Sequence, residues 1–279
     1  MNTDDVPIDP QPPLPAPPAV PEVNRRRWWI HFILIGGYFA AVIPFAAFGQ
    51  PRHPTLFNNT RTLLLVSAFE LFFFSIVFGL AWLASRASVD DLLLRWRQGW
   101  WTVLLGIGYS VAMRVVLGLL LVVIVTILMA TKVLDQKAVE SFSTNSRTPV
   151  ERMVNVSAMQ NDRAYFWLTV TLASFGVAGL REELWRAGTL AAMRKLWPNK
   201  FGDRNGQIGA VALVAIVFGL AHLSLGIIAA AMAMILGLLL GIIMVLHKSI
   251  WPAVIAHGMF DATSFALIPF ALQHMQRFH

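Results

Sequence analysis

Cysteine is absent from the 279 residues, which excludes disulfides, thiol catalysis and any cysteine-ligated metal. The redox compartment is therefore unmarked. Charge is the second scarcity: Asp, Glu, Lys and Arg make up 13% of the chain, against roughly a quarter in a soluble domain. With 57% hydrophobic residues and a mean hydropathy of +0.63, the composition is that of an integral membrane protein. The formal net charge of +7 does not indicate nucleic acid as a partner. Its basic residues stand beside hydrophobic runs rather than in one patch interleaved with aromatics, so they report membrane topology.

Long predominantly apolar runs cover most of the chain, at 28–49, 62–84, 102–131, 164–197, 207–225, 226–246 and 249–272. Each is near or above the length that crosses about 30 Å of hydrocarbon at 1.5 Å per residue. The fold expected is all-α, a polytopic transmembrane helical bundle of about seven spans, with eight as the upper count. Residues 1–27 read as a disordered, proline-rich cytoplasmic tail and 28–131 as the N-terminal transmembrane helices. A polar loop at 132–163, a chemistry-bearing helical core at 164–272 and a short tail at 273–279 follow. Arg25, Arg26 and Arg27 ahead of the first run place the N-terminus inside, in the cell membrane. The acidic, proline-rich leader and the length of the first run argue against a cleaved signal peptide. Gly237 and Gly241 have the GxxxG spacing that permits close helix contact.

Charges inside the runs are few enough to be read singly. Glu70 and Arg114 fall at similar depth if their helices are antiparallel, and the economical reading is a buried ion pair. Arg181, Glu182, Glu183 and Arg186 crowd into six residues after a run, 164–180, that has no charge. Unpaired ionised groups at that depth cost several kcal/mol by most estimates, so the cluster must face a protein interior or a watery cavity. Glu182 and Arg186 are one turn apart on one face, with Glu183 about 100° away around the axis. Phe218 and His222 repeat the four-residue spacing, and so do His257 and Asp261. Counting 1.5 Å per residue, Glu182 and His222 match in depth and His257 lies about 10 Å shallower, a gap that helix tilt closes. A carboxylate and two histidines in a low-dielectric cavity can activate water and stabilise an oxyanion, directly or by holding a metal ion. The spacing is not HExxH, so zinc does not follow from a motif. Each histidine alone would be a satisfied core residue; three helices with the same chemistry favour a site.

In order and spacing, Glu182 and Glu183 through Arg186, Phe218 with His222, and His257 with Asp261 resemble the motifs of the CPBP family of intramembrane proteases, which includes type II CAAX prenyl endopeptidases and the Abi proteins. The resemblance covers about residues 160–265. It implies an endopeptidase with a cytosol-facing intramembrane cavity, where a Glu and a His activate water and a later His with Asn or Asp stabilises the oxyanion. On this basis the catalytic candidates are Glu182 as general base, Glu183 as a secondary candidate for that role, Arg186 as the cation orienting one of the two carboxylates, His222, His257 and Asp261. Phe218 would wall the cavity. The family is labelled metalloprotease, and a metal-independent glutamate mechanism is also held for it. A divalent metal such as zinc, if bound, would take Glu182, His222 and His257. The partners implied are a membrane-associated peptide or protein substrate and the lipid bilayer, with no nucleic acid.

Two positions depart from the family pattern. Only Leu184 and Trp185 separate Glu183 from Arg186, where three residues are usual, and Asp261 stands where many relatives have Asn. The altered spacing supports a rival reading, a catalytically impaired scaffold or immunity-type binding protein of the same fold. A transporter would require paired repeats, and no internal symmetry is present in the sequence.

Overall fold

In the computed structural model, residues 24–41, 43–44, 57–132 and 154–276 are described, with side chains to Pro269. The proline-rich tail, the end of the first hydrophobic run and most of the polar connection lie outside the described residues. Among the described residues, every regular element is helical. Helix α1 spans Arg25–Ala40, α2 Thr60–Ser85, α3 Trp101–Ala130 and α4 Val156–Asn161. Next comes one continuous helical rod in three parts: α5 (Arg163–Leu168), a π-helical stretch (Thr169–Arg181) and α6 (Glu182–Leu196). The short α7 (Pro198–Phe201) leads to α8 (Arg204–Ala221), a 3₁₀ turn (Leu223–Leu225), α9 (Ile227–His247) and α10 (Trp251–Gln276).

Four of these helices are long and apolar enough to cross a membrane: α2, α3, α8 and α9. The seven-span expectation is therefore met in class rather than in number. Among the described residues, the first run is helical at 28–40, within the 16-residue α1, and at 43–44. The rod carries four charges at its centre, and α10 carries His257 and Asp261. These polar groups lower the mean hydropathy of the helices that hold the candidate site.

Local sequence explains where the helices start and stop. Asn59 caps α2 through a reciprocal box with Thr62, and Arg86 closes it in a left-handed conformation. Asp162 accepts the Ala164 and Tyr165 N–H groups to start the rod. A proline at 198, just after Trp197, stops it and opens α7. The fifth run is interrupted at His222, which ends α8, and Gly226 at φ 105 permits the reversal into α9.

Packing then assembles the centre. Helix α1 lies against α2 and α6, α10 against the π stretch and α3, and α9 against α8. Close approach is built in by glycines. A Cβ on Gly241 would meet Val211 at 2.5 Å, and one on Gly237 would meet Phe218 at 3.0 Å, so the GxxxG spacing does seat α9 on α8. Gly179 of the π stretch lies so close to α10 that a Cβ there would be 3.0 Å from the Val254 carbonyl oxygen. His31, fully buried in α1, bridges three elements: Nδ1 is 3.0 Å from both the Ala81 carbonyl oxygen and Ser85 Oγ, and Nε2 is 3.1 Å from the Gly188 carbonyl oxygen. It ties α1 to α2 and to α6, one turn beyond the acidic pair.

The connection at 86–100 is sewn to the junction of α9 and α10. Ile250 N–H donates to Leu93 O, Ser249 Oγ to Arg95 O, and the Trp251 indole to Leu94 O. This fixes the start of α10, and with it the height of His257.

Candidate active site

Glu182 and Glu183 occupy the first turn of α6, immediately after the π stretch. Within that stretch, wound with i→i+5 backbone bonding, Ser174 Oγ donates to the Thr169 carbonyl oxygen at 2.8 Å. Such stretches are frequent at functional sites, where they re-aim side chains. Here the rod turns both carboxylates toward α10. Glu183 has no exposed surface; Oε1 is 3.0 Å from His257 Nδ1, and Oε2 forms a very short ion pair with Arg186. Arg186 is equally buried, and its guanidinium lies 5.0 Å from the Phe218 ring centre.

Glu182 looks to the other side of the imidazole. Its Oε2 is 3.9 Å from His257 Nε2, and Asp261 Oδ2 is 3.8 Å from the same nitrogen. Two carboxylate oxygens, one from each of two helices, thus face one imidazole nitrogen from just beyond direct hydrogen-bonding distance. The remaining Glu182 oxygen, Oε1, accepts from Arg181 at 3.1 Å. Arg181 also reaches across to α2, where Nη1 is 2.6 Å from Glu70 Oε2. Glu70 therefore pairs with Arg181, and the expected Glu70–Arg114 ion pair is not formed. Arg114 instead binds the backbone of α10 through Phe260 O at 2.5 Å and Met259 O at 3.3 Å, with a very short bond to Thr263 Oγ1. Equal depth was satisfied by both partners; direction around the helix decided between them.

His222 sits at the end of α8 rather than within it. Its Nδ1 is 2.7 Å from the Phe218 carbonyl oxygen and its ring lies 4.5 Å from the Phe218 ring. The carbonyl can only accept, so Nδ1 carries the proton and Nε2 presents a lone pair. Phe218 is buried between His222, His257 and Arg186, stacked in turn on Phe39 and Trp185. Phe218, expected from the sequence as a cavity wall, is thus part of an aromatic column reaching α1.

Glu182, His222 and His257 are the residues that would take a divalent metal. The bond from His222 Nδ1 to the Phe218 carbonyl leaves Nε2 as the nitrogen available to a partner, and among the described residues no group of three or more His, Asp or Glu side chains is gathered closely enough to hold a metal. What the arrangement offers is an imidazole oriented by Glu183, two carboxylates facing its other nitrogen, and two guanidiniums balancing the acids. Arg181 and Glu70 are the site neighbours that sequence reasoning did not assign; Arg181's place inside the charged cluster was the available signal.

No curated protein and no solved structure matches the chain. Residues 163–263 match the family model described as type II CAAX prenyl endopeptidase Rce1-like. The matched stretch opens with the first turn of the rod and closes two residues beyond Asp261, so it encloses every member of the candidate centre outside α1, α2 and α3. Over residues 163–263 the chain is therefore similar to the type II CAAX prenyl endopeptidase Rce1-like family, a match consistent with the CPBP class of intramembrane proteases.

Proposed function

We propose that the chain is an intramembrane endopeptidase that hydrolyses a peptide bond in a membrane-associated protein or peptide. The observation that supports this reading best is the His257 imidazole, held by Glu183 at Nδ1 and facing Glu182 and Asp261 with Nε2. In this reading Glu182 Oε2 takes a proton from water as it attacks the scissile carbonyl, with the Nε2 lone pair of His222 orienting that water. His257 donates Nε2–H to the oxyanion of the tetrahedral intermediate, and Glu183 holds the ring in the required orientation. Asp261, 3.8 Å from the same nitrogen, balances the charge of the ring rather than donating to the oxyanion, since an ionised carboxylate has no proton to donate. Glu182 then returns its proton to the leaving amine. Arg186 anchors Glu183, and Arg181 sets the rotamer of Glu182.

The finer assignments go with this proposal: a cell-membrane location, an N-terminus on the cytoplasmic side, and a cavity open to the cytosol. A Glu182→Ala variant of the purified protein is expected to lose cleavage of a confirmed substrate by at least about a hundredfold, the scale of removing a general base. Wild-type turnover by that variant overturns the assignment. Cleavage that persists in a chelator agrees with the side-chain route to water activation, whereas loss in chelator restored by zinc overturns that route.

One contact favours the rival reading. Arg181 holds Glu182 Oε1 at 3.1 Å, so one oxygen of the proposed base is already engaged by a side-chain donor. A non-catalytic scaffold binds its peptide without cutting it, so intact peptide recovered bound to wild-type protein after prolonged incubation identifies that case.

A further inference from the structure

Away from the acidic pair and at the end of the bundle where α6 stops and α8 begins, a cavity of about 610 Å³ opens between the 86–100 connection, α6, α8 and the α9–α10 junction. Its lining carries four cations, Arg97, Arg194, Arg204 and Lys248, against two acids, Asp90 and Asp91. The acids are already committed. Asp90 is shared by Arg95 at 2.9 Å and Arg97 at 2.6 Å, and Asp91 is paired with Lys195 at 2.8 Å. Arg194 donates to the neutral carbonyl of Asp91 at 2.7 Å, and Arg204 and Lys248 have no acidic partner among the described residues. Arg204 and Lys248 thus face the cavity without an acidic partner among the described residues, and Arg194 shares Asp91 with Lys195.

The level of the cavity is marked by indoles. Trp96, Trp100 and Trp101, all largely exposed, belong to the same connection and the start of α3, and Trp96 packs against Trp251 at 5.4 Å. A belt of tryptophans lies where hydrocarbon meets headgroups, so the cavity is set at headgroup depth. Basic pockets between membrane helices at that depth suit phosphate-bearing groups.

We propose that this cavity binds an anionic phosphate group between Arg194, Arg204 and Lys248, delivered by a lipid headgroup or by a soluble phosphate. The walls come from four parts of the chain, so occupancy would clamp the 86–100 connection to α6, α8 and the start of α10. The proposal stands apart from the catalytic reading, because none of its residues touches Glu182, Glu183 or His257.

The test uses the purified full chain in detergent, titrated with phosphatidylglycerol, phosphatidylcholine or inorganic phosphate and read by native mass spectrometry and thermal unfolding. Phosphatidylglycerol is expected to be retained and to raise the unfolding midpoint, while phosphatidylcholine does neither. The double variant Arg204→Gln, Lys248→Gln should bind about thirtyfold more weakly, since each cation beside an anionic headgroup contributes about fivefold. Both side chains are exposed, so folding is spared; Arg204→Lys with Lys248→Arg, which keeps the charge, should bind nearly as wild type. Saturation by inorganic phosphate at millimolar concentration, with lipid displaced, assigns the source as soluble phosphate; lipid binding indifferent to phosphate assigns it as headgroup. Equal retention of phosphatidylglycerol by wild type and the double variant, or binding of neither probe, overturns the proposal.

Discussion

Glu182 and Glu183 are neighbours in sequence with opposite commitments. Glu183 gives one oxygen to His257 and the other to Arg186 without any exposed surface, so it is structural ballast as well as an orienting group. Replacing it by Gln leaves Arg186 as a buried cation without its counter-ion, a loss of about 3–5 kcal/mol. Glu183→Gln should therefore lower the unfolding midpoint of the purified protein by several degrees, with or without substrate. Glu182→Gln should unfold close to wild type, because Arg181 keeps Glu70 as a partner, and should lose cleavage instead. The pair of measurements separates the two carboxylates. The shortened interval to Arg186 also has a residue-scale explanation. Positions three and four apart both fall on one helical face, so the i,i+3 pair formed here does the work of an i,i+4 pair. From the sequence, which of the two acids meets Arg186 was open, because the choice depends on rotamers and on the partner helix.

At the scale of elements, hydropathy and spacing were informative and azimuth was not. The limits of α2 and α3 lie within two residues of the apolar runs that forecast them, and the GxxxG pair in α9 meets α8 as its spacing implies. Gly241→Leu should accordingly push α9 away from Val211 and cost about 1–3 kcal/mol. Val211→Ala in the same chain should recover part of that loss, read as a non-additive term in a double-mutant cycle of thermal stability. Depth counting brought His222 and Glu182 level, yet it did not show that His222 closes its helix. Nor could it choose Arg181 over Arg114 as the partner of Glu70. A rise per residue gives height along an axis, whereas pairing requires rotation about that axis and the identity of the neighbouring helix.

For the whole molecule, the connection at 86–100 couples the ends of four helices. Asp91 is part-buried, which opposes ionisation, but the Lys195 ammonium and the Ser88 donors outweigh burial and hold its carboxyl below the ordinary range. The unfolded chain then binds the proton more readily, so this contribution is present above about pH 4 and fades as pH falls through the lower folded value. The difference in unfolding midpoint between wild type and Lys195→Met should shrink below about pH 4 and be level above it. The π stretch has a wider reach. Thr169–Arg181 is wound more loosely than the helices on either side, and every residue after it inherits the accumulated angle. Were one residue removed there, such as Val177, the rod would tighten to α and the two acids would swing away from His257 while α5 and α6 each kept their length. The site is thus set by a phase, as the bits of a key are set by their turn in the lock. Such a deletion should leave helical content by circular dichroism nearly unchanged and abolish cleavage.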